Sequence, residues 1–219
     1  MFHVEHLESA RRAAAWAGVS LSETQEAALT QFAGWLDTEA IPAGGLGPRE
    51  GARIWQRHIA DSLTFATALI GMKGNAVDLG TGVGLPGIPL AIVLPGLHWT
   101  LLDRAGRRIR LLERASRILG LDNVIVEQGD AFRYPHHCDV VVSRGSLPLL
   151  QVVAQASRLL VVGGTAVVGV SRRTEPPETL DRAVILAEDL GLEAEAVSIP
   201  PEILDGPSWI LIMHARGAY

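Results

Sequence analysis

Along the first third of the chain, apolar positions recur at helical spacing. His6–Ala17 carries one such run, and Ser22–Leu36 carries a second that opens on a serine suited to cap a helix, with Glu26 in its first turns. The stretch AIPAGGLGPREG (40–51) is dense in proline and glycine and predicts a loop. After it, Ala52–Ile70 shows apolar residues at helical spacing, Ile54, Ile59, Leu63, Ala66, Leu69 and Ile70, and predicts a helix. From Asn75 the pattern changes to short apolar runs alternating with amphipathic segments. The runs at 76–80, 99–103, 124–130, 139–144 and 165–170 predict strands. Helices are expected between them at Pro86–Leu94, Arg104–Leu119 and Leu147–Leu160, the last stopped by Gly163–Gly164. Another helix, Glu178–Leu190, leads to a closing antiparallel pair at 193–199 and 209–215.

Successive strand–helix units imply an α/β fold with a mostly parallel sheet covered on both faces. The reading is one domain over 1–219, with a helical N-terminal extension over 1–72 and a core over 73–219. A hydrophobic fraction of 48% with 20% charged residues suits a globular chain. No apolar run approaches the ~20 residues of a membrane span, and the acidic, amphipathic start MFHVEHLESARR is unlike a signal peptide. A cytoplasmic protein without membrane attachment is expected. One cysteine, Cys138, permits neither a disulfide framework nor a Cys₄ or Cys₂His₂ zinc site. It reads as a packed thiol rather than a nucleophile, and the adjacent His136–His137 cannot easily converge on one ion, so no metal is expected.

The net charge of −5 conceals an asymmetry. Residues 1–50 sum to −4 and 174–219 to −7, whereas 51–173 sum to +6. A basic centre can present a positive face to phosphates. Eighteen arginines against the single Lys73 also suggest that base composition contributes to the arginine count.

Candidate chemistry sits where an open α/β sheet binds ligands, beyond the carboxyl ends of its strands. The first strand ends in Asp78-Leu-Gly80-Thr-Gly82-Val-Gly84, a GxGxG turn whose glycines allow close backbone approach to a ligand. This spacing differs from the dinucleotide fingerprint and lacks the ending of a phosphate loop. Asp103 ends the second strand, where an acid can accept hydrogen bonds from ribose hydroxyls, and Asp130 ends the third, within reach of an adenine amino group. Together they form the usual arrangement for S-adenosylmethionine, and the expected fold is that of class I S-adenosylmethionine-dependent methyltransferases.

The segments RHIADSL (57–63), VDLGTGVGLPGIPLAIVLPG (77–96), TLLDRAGRRIRLLE (100–113), LGLDNV (119–124) and VVSRG (141–145) resemble the bacterial RsmG (GidB) family. The likeness runs from about Gly47 to Gly164, and the opening MFHVEH also looks like members of that family. The resemblance implies N7 methylation of a guanine in the decoding-region loop of 16S ribosomal RNA. The implied partner is that RNA or the small ribosomal subunit. It implies cofactor positions at Gly80, Leu85, Gly129, Asp130 and Arg144. With Asp78, Gly82, Gly84, Asp103 and Ala131 these make up the expected cofactor site. Guanine N7 has a free lone pair and carries no proton to remove, so no general base is expected. Arg57, His58, Arg107, Arg108, Arg172 and Arg173 are the candidates for contact with RNA.

Two departures from the family pattern bear on the substrate. A lysine is usual after strand five, where this chain reads VVGVSRR; an arginine-histidine pair is usual in the closing hairpin, where it has Pro207-Ser208-Trp209. A small-molecule methyltransferase of the same fold, or a catalytically silent cofactor-binding homologue, are the alternatives.

Overall fold

The computed structural model describes residues 2–171, 176–204, 206 and 208–217. Its N-terminal part holds α1 (Phe2–Trp16) and α2 (Glu23–Trp35), followed by a π-helical turn, Leu36–Ala40. The cap of α2 is Ser22, but its partner is Gln25 rather than Glu26. The Ser22 hydroxyl accepts from the Gln25 N–H, and the Gln25 side chain accepts from the Ser22 N–H at 3.0 Å, closing a capping box. Glu26 instead pairs with Arg11 of α1, at 2.6 and 2.8 Å.

The expected continuous helix over Ala52–Ile70 is broken into pieces. A 3₁₀ turn (Gly51–Arg53) leads into a π-helix (Ile54–Ala60), then α3 (Asp61–Thr64), then a second 3₁₀ turn (Phe65–Ala68). The buried residues Ile54, Ile59, Leu63, Ala66 and Leu69 still face the core, whereas Ile70, in the turn beyond, is 52% exposed; the apolar spacing was followed up to Leu69 while the hydrogen-bond pattern was not.

The strands are β1 (Gly74–Leu79), β2 (Leu97–Asp103), β3 (Val124–Gln128), β4 (Cys138–Arg144), β5 (Leu160–Ser171), β6 (Leu192–Ile199) and β7 (Ser208–Ala215). They are connected by α4 (Gly87–Val93), α5 (Gly106–Leu119), α6 (Leu149–Leu159) and α7 (Pro177–Asp189). The sheet order is β3-β2-β1-β4-β5-β7-β6, with β1 to β5 parallel and β7 inserted antiparallel between β5 and β6. Gly163–Gly164, expected to stop a helix, lie within β5. The register against β4 shifts there between Cys138 and Val140, a bulge that glycine accommodates at φ +79 for Gly163.

Alternation along each strand divides the core in two. Ala76, Val140, Val142, Val167, Ile210 and Ile212 join the cluster that takes in α1, α2, the 54–69 segment, α4 and α5. Val77, Val141, Ala166, Val168, Leu211 and Met213 join the other, under α6 and α7. The N-terminal helices therefore share one hydrophobic cluster with the sheet. Cys138 is buried in the second cluster, where burial pushes its thiol up to about 11 and leaves it un-ionised at neutral pH.

Candidate cofactor and substrate site

The chain reverses direction across the sheet between β1, whose crossover runs toward β2, and β4 on its other side. Such a switch point leaves a crevice at the strand ends. A cleft of about 470 Å³ occupies it, a volume suited to a small-molecule ligand. Its floor is Gly80–Val83 with Leu85. One wall is Asp103, Arg104 and Arg108, a second is Gly129–Phe132, and a third is Arg144–Leu147. Gly45, Leu46 and His58 of the N-terminal part close the top.

The floor is built by close approach. The N–H groups of Gly80 and Thr81 both donate to the Leu102 carbonyl, at 2.8 and 3.0 Å, turning the loop over the end of β2. A Cβ on Gly80 would sit 2.4 Å from that of Ser146, so the glycine lets two loops meet. Gly82, at φ +65, is different: a Cβ there would meet nothing within 4 Å. Its bare backbone borders open cleft.

Asp78 lies beneath this floor, fully buried. Its Oδ2 accepts from the Gly87 N–H at 2.8 Å, while its Oδ1 and the nearby Thr81 hydroxyl have no hydrogen-bond partner among the described residues. Burial raises the carboxyl to about 6. The Thr81 hydroxyl, close but outside hydrogen-bonding geometry, the Gly87 N–H and the charge of Arg144 temper the rise. Gly87 is thereby explained as well, since a Cβ there would stand 2.8 Å from Asp78 Oδ2.

Asp103 is 2% exposed and serves the protein as well as the cleft. Its Oδ2 accepts from the Gly82 N–H at 3.0 Å and from Arg108 Nη1 at 3.1 Å, and its Oδ1 accepts from the Ala105 N–H at 2.9 Å. The carboxylate ties the glycine loop to the first turn of α5 and retains acceptor capacity toward the cleft. Asp130 stands two residues beyond β3, and its side chain accepts from the Phe132 N–H at 3.0 Å, shaping the turn that forms the second wall.

Arg144 borders the cleft, but its guanidinium is turned to the N-terminal part. Nη1 donates to Asp61 Oδ2 at 2.8 Å and lies 3.4 Å from the carbonyl oxygens of Arg57 and His58. The π-helix above is thus pinned to the end of β4. His58, 8% exposed, meets Glu50 through Nε2 at 2.9 Å. Burial, reinforced by the charge of Arg144, lowers the imidazole to about 4 against the opposing pull of Glu50, so it is neutral at neutral pH.

Of the expected cofactor residues, Gly80, Gly82, Leu85, Asp103, Gly129, Asp130, Ala131 and Arg144 line the cleft, with Asp78 and Gly84 outside its lining. Gly84, at φ +93, packs against Ile88. Among the expected RNA contacts, His58 and Arg108 line it. Arg57 pairs with Glu50 at 3.3 Å, and Arg107 donates to the Ala43 carbonyl, holding the 40–50 loop down. Arg172 and Arg173 lie outside the described residues, as does Pro207. Sequence reasoning missed Thr81, Phe132, Ser146 and the Gly45–Leu46 loop. Phe132 was within reach of it, following directly on the expected Gly129–Ala131 run. The loop carried no signal, because only tertiary contact lays it over the cleft.

Among the described residues there is no group of acidic, histidine or cysteine side chains arranged to hold a metal ion, and no helix is long and apolar enough to cross a membrane. The fold resembles class I methyltransferases of known structure. A precorrin-6y C5,15-methyltransferase from Geobacter metallireducens superposes with a TM-score of 0.55 at 18% identity, over 70% of this chain and 88% of that one. Sequence comparison is more specific. A ribosomal RNA small subunit methyltransferase G from Klebsiella pneumoniae is 33% identical over 204 residues, 91% of this chain and 94% of its own length. Another of that name, from Salmonella arizonae, is 39% identical over 145 residues, 65% of this chain and 69% of its own. Residues 25–186, which contain the whole lining of the cleft, match the GidB family, described as rRNA small subunit methyltransferase G. With the strand order, the glycine floor and these matches in agreement, the chain belongs to the GidB family.

Proposed function

We propose that the cleft binds S-adenosylmethionine and that the chain methylates N7 of a guanine in 16S ribosomal RNA, in the cytoplasm, with the small ribosomal subunit or its RNA as partner. The observation that carries the reading is the bare backbone of Gly82 beside the cleft, flanked by the carboxylates of Asp103 and Asp130. The donor set fits such a cofactor. Asp103 and Asp130 can accept from ribose hydroxyls and an adenine amino group, Leu85, Leu102 and Phe132 offer apolar contact, and the buried carboxyl of Asp78 favours a cation above it. Bound there, the cofactor would supply an electrophilic methyl group on a sulfonium, open to in-line displacement by the N7 lone pair with the thioether as leaving group. What the protein contributes is position: the floor and walls of the cleft hold the reactants in line. No residue has to remove a proton, since N7 carries none. Neutral His58, its Nε2–H given to Glu50, keeps an acceptor at Nδ1 and adds no positive charge beside a base that becomes cationic on methylation.

The test is transfer of labelled methyl from S-adenosylmethionine to purified small ribosomal subunits. Label should appear in 16S RNA with the parent chain and be absent with Gly82→Val. Label that reaches no RNA from a chain that binds the cofactor would overturn the RNA substrate and leave a small-molecule acceptor as the reading.

A further inference from the structure

The second wall of the cleft, Gly129–Phe132, hangs between β3 and β4 and is made of backbone rather than of a long helix or strand. Its near end is fixed by the Gly129 N–H donating to the Asp103 carbonyl at 3.1 Å. Its far end is fixed by Tyr134, which is 5% exposed in the second core cluster. The bonds between Asp130 and Phe132, and between the Arg133 N–H and the Asp130 carbonyl, shape the turn but attach it to nothing else. The attachment comes from α6. Arg158 donates Nη2 to the Ala131 carbonyl and Nη1 to the Tyr134 carbonyl, both at 2.8 Å. Its Nε donates to the side chain of Gln155 at 3.0 Å; Gln155 is buried one turn earlier on the same helix and sets the plane of the guanidinium. Arg158 itself does not line the cleft.

We propose that Arg158 is a positioning residue for the adenosyl half of the cofactor. It acts through the Ala131–Tyr134 turn and from the side of that turn away from the ligand. The inference rests on the cofactor reading above. Its physical basis is geometric: a planar fork holds two carbonyls three residues apart at once, which a lysine ammonium on a flexible stem does not do equally well. Releasing the turn frees Ala131 and Phe132 to drift from the positions that Asp130 needs in order to reach a base.

The test compares the parent chain with Arg158→Ala and Arg158→Lys. Calorimetry should show S-adenosylhomocysteine and adenosine weakened by the same factor, about tenfold in Arg158→Ala and less in Arg158→Lys. Backbone amide exchange should quicken over 130–134. The KM for S-adenosylmethionine should rise by the same factor while kcat at saturating cofactor stays within about twofold. A merely structural side chain would instead lower kcat together with the melting temperature and leave the cofactor KM alone. Parent-like cofactor affinity in Arg158→Ala overturns the role of Arg158. A parent chain that binds no S-adenosylhomocysteine overturns the cofactor reading itself, and this inference with it.

Discussion

At Gly82 the positive φ and the empty space beyond the missing Cβ make one joint demand on the residue. Gly82→Val places a β-branched side chain in a left-handed conformation and directs it into the cleft. The expected outcome is a folded chain, checked by circular dichroism, with no calorimetric signal for S-adenosylmethionine. Asp103→Ala should weaken cofactor binding by about 1–3 kcal/mol. The structure adds that part of the loss arises through the Gly82 N–H, which loses its acceptor. Asp122→Ala, in the turn before β3, is the control and should bind as the parent does. Asp78 carries a pH signature. Its folded-state carboxyl is raised from 3.8 to about 6, so its contribution to stability is full below pH 4 and is lost as pH rises through 6. Asp78→Asn, whose amide oxygen can still accept from Gly87, should therefore melt above the parent at pH 7.5, by up to about 3 kcal/mol of stability. The gain should vanish near pH 4, and the same variant should bind the cationic cofactor less tightly. Thermal melts across that range check it. The strand-end acids and the glycine spacing were visible in the sequence because the chemistry is local there. That Asp103 and Arg144 also serve the architecture was not, since their partners lie 21 and 83 positions away.

The segment from Gly51 to Ala68 shows what periodicity conveys about an element and what it omits. Apolar spacing places Ile54, Ile59 and Leu63 toward the core, and a period near 3.6 is all that such spacing reports. The widened π-helical turn at Ile54–Ala60 brings the His58 and Arg57 carbonyls to Arg144 and lets Asp61 meet the same guanidinium, contacts set by tertiary structure alone. Arg144→Ala should loosen that turn and remove a charge that disfavours the imidazolium of His58. Nuclear magnetic resonance titration should then find the His58 pKa risen from about 4 toward the ordinary 6.5. The bulge in β5 was misread for a related reason: the Gly163–Gly164 pair marks both a helix stop and a strand irregularity, and only the register against β4 decides between them.

Across the molecule the basic middle of the chain is distributed unevenly about the cleft. Arg104 and Arg108 flank it, while Arg107 and Arg114 of the same helix are engaged by the N-terminal part through Ala43 and Glu39. Of the arginines on α5 and just before it, those beside the cleft are the ones placed to meet phosphates. Replacing the exposed Arg104 by glutamine should weaken RNA binding and make its dependence on salt shallower by roughly one in log–log slope. Filter binding across a salt series measures both. The fold could be read from strand–helix alternation because each unit declares itself within about thirty residues, whereas the covering of the cleft by the 40–58 region depends on contacts that no local pattern encodes. The most direct test of the whole account is mass spectrometry of nucleosides from 16S RNA after reaction of purified chain, S-adenosylmethionine and small subunits lacking the modification. The account predicts 7-methylguanosine, about one per subunit and dependent on Gly82. A methyl on any other base or guanine atom, or unmodified RNA in the presence of bound cofactor, would contradict it.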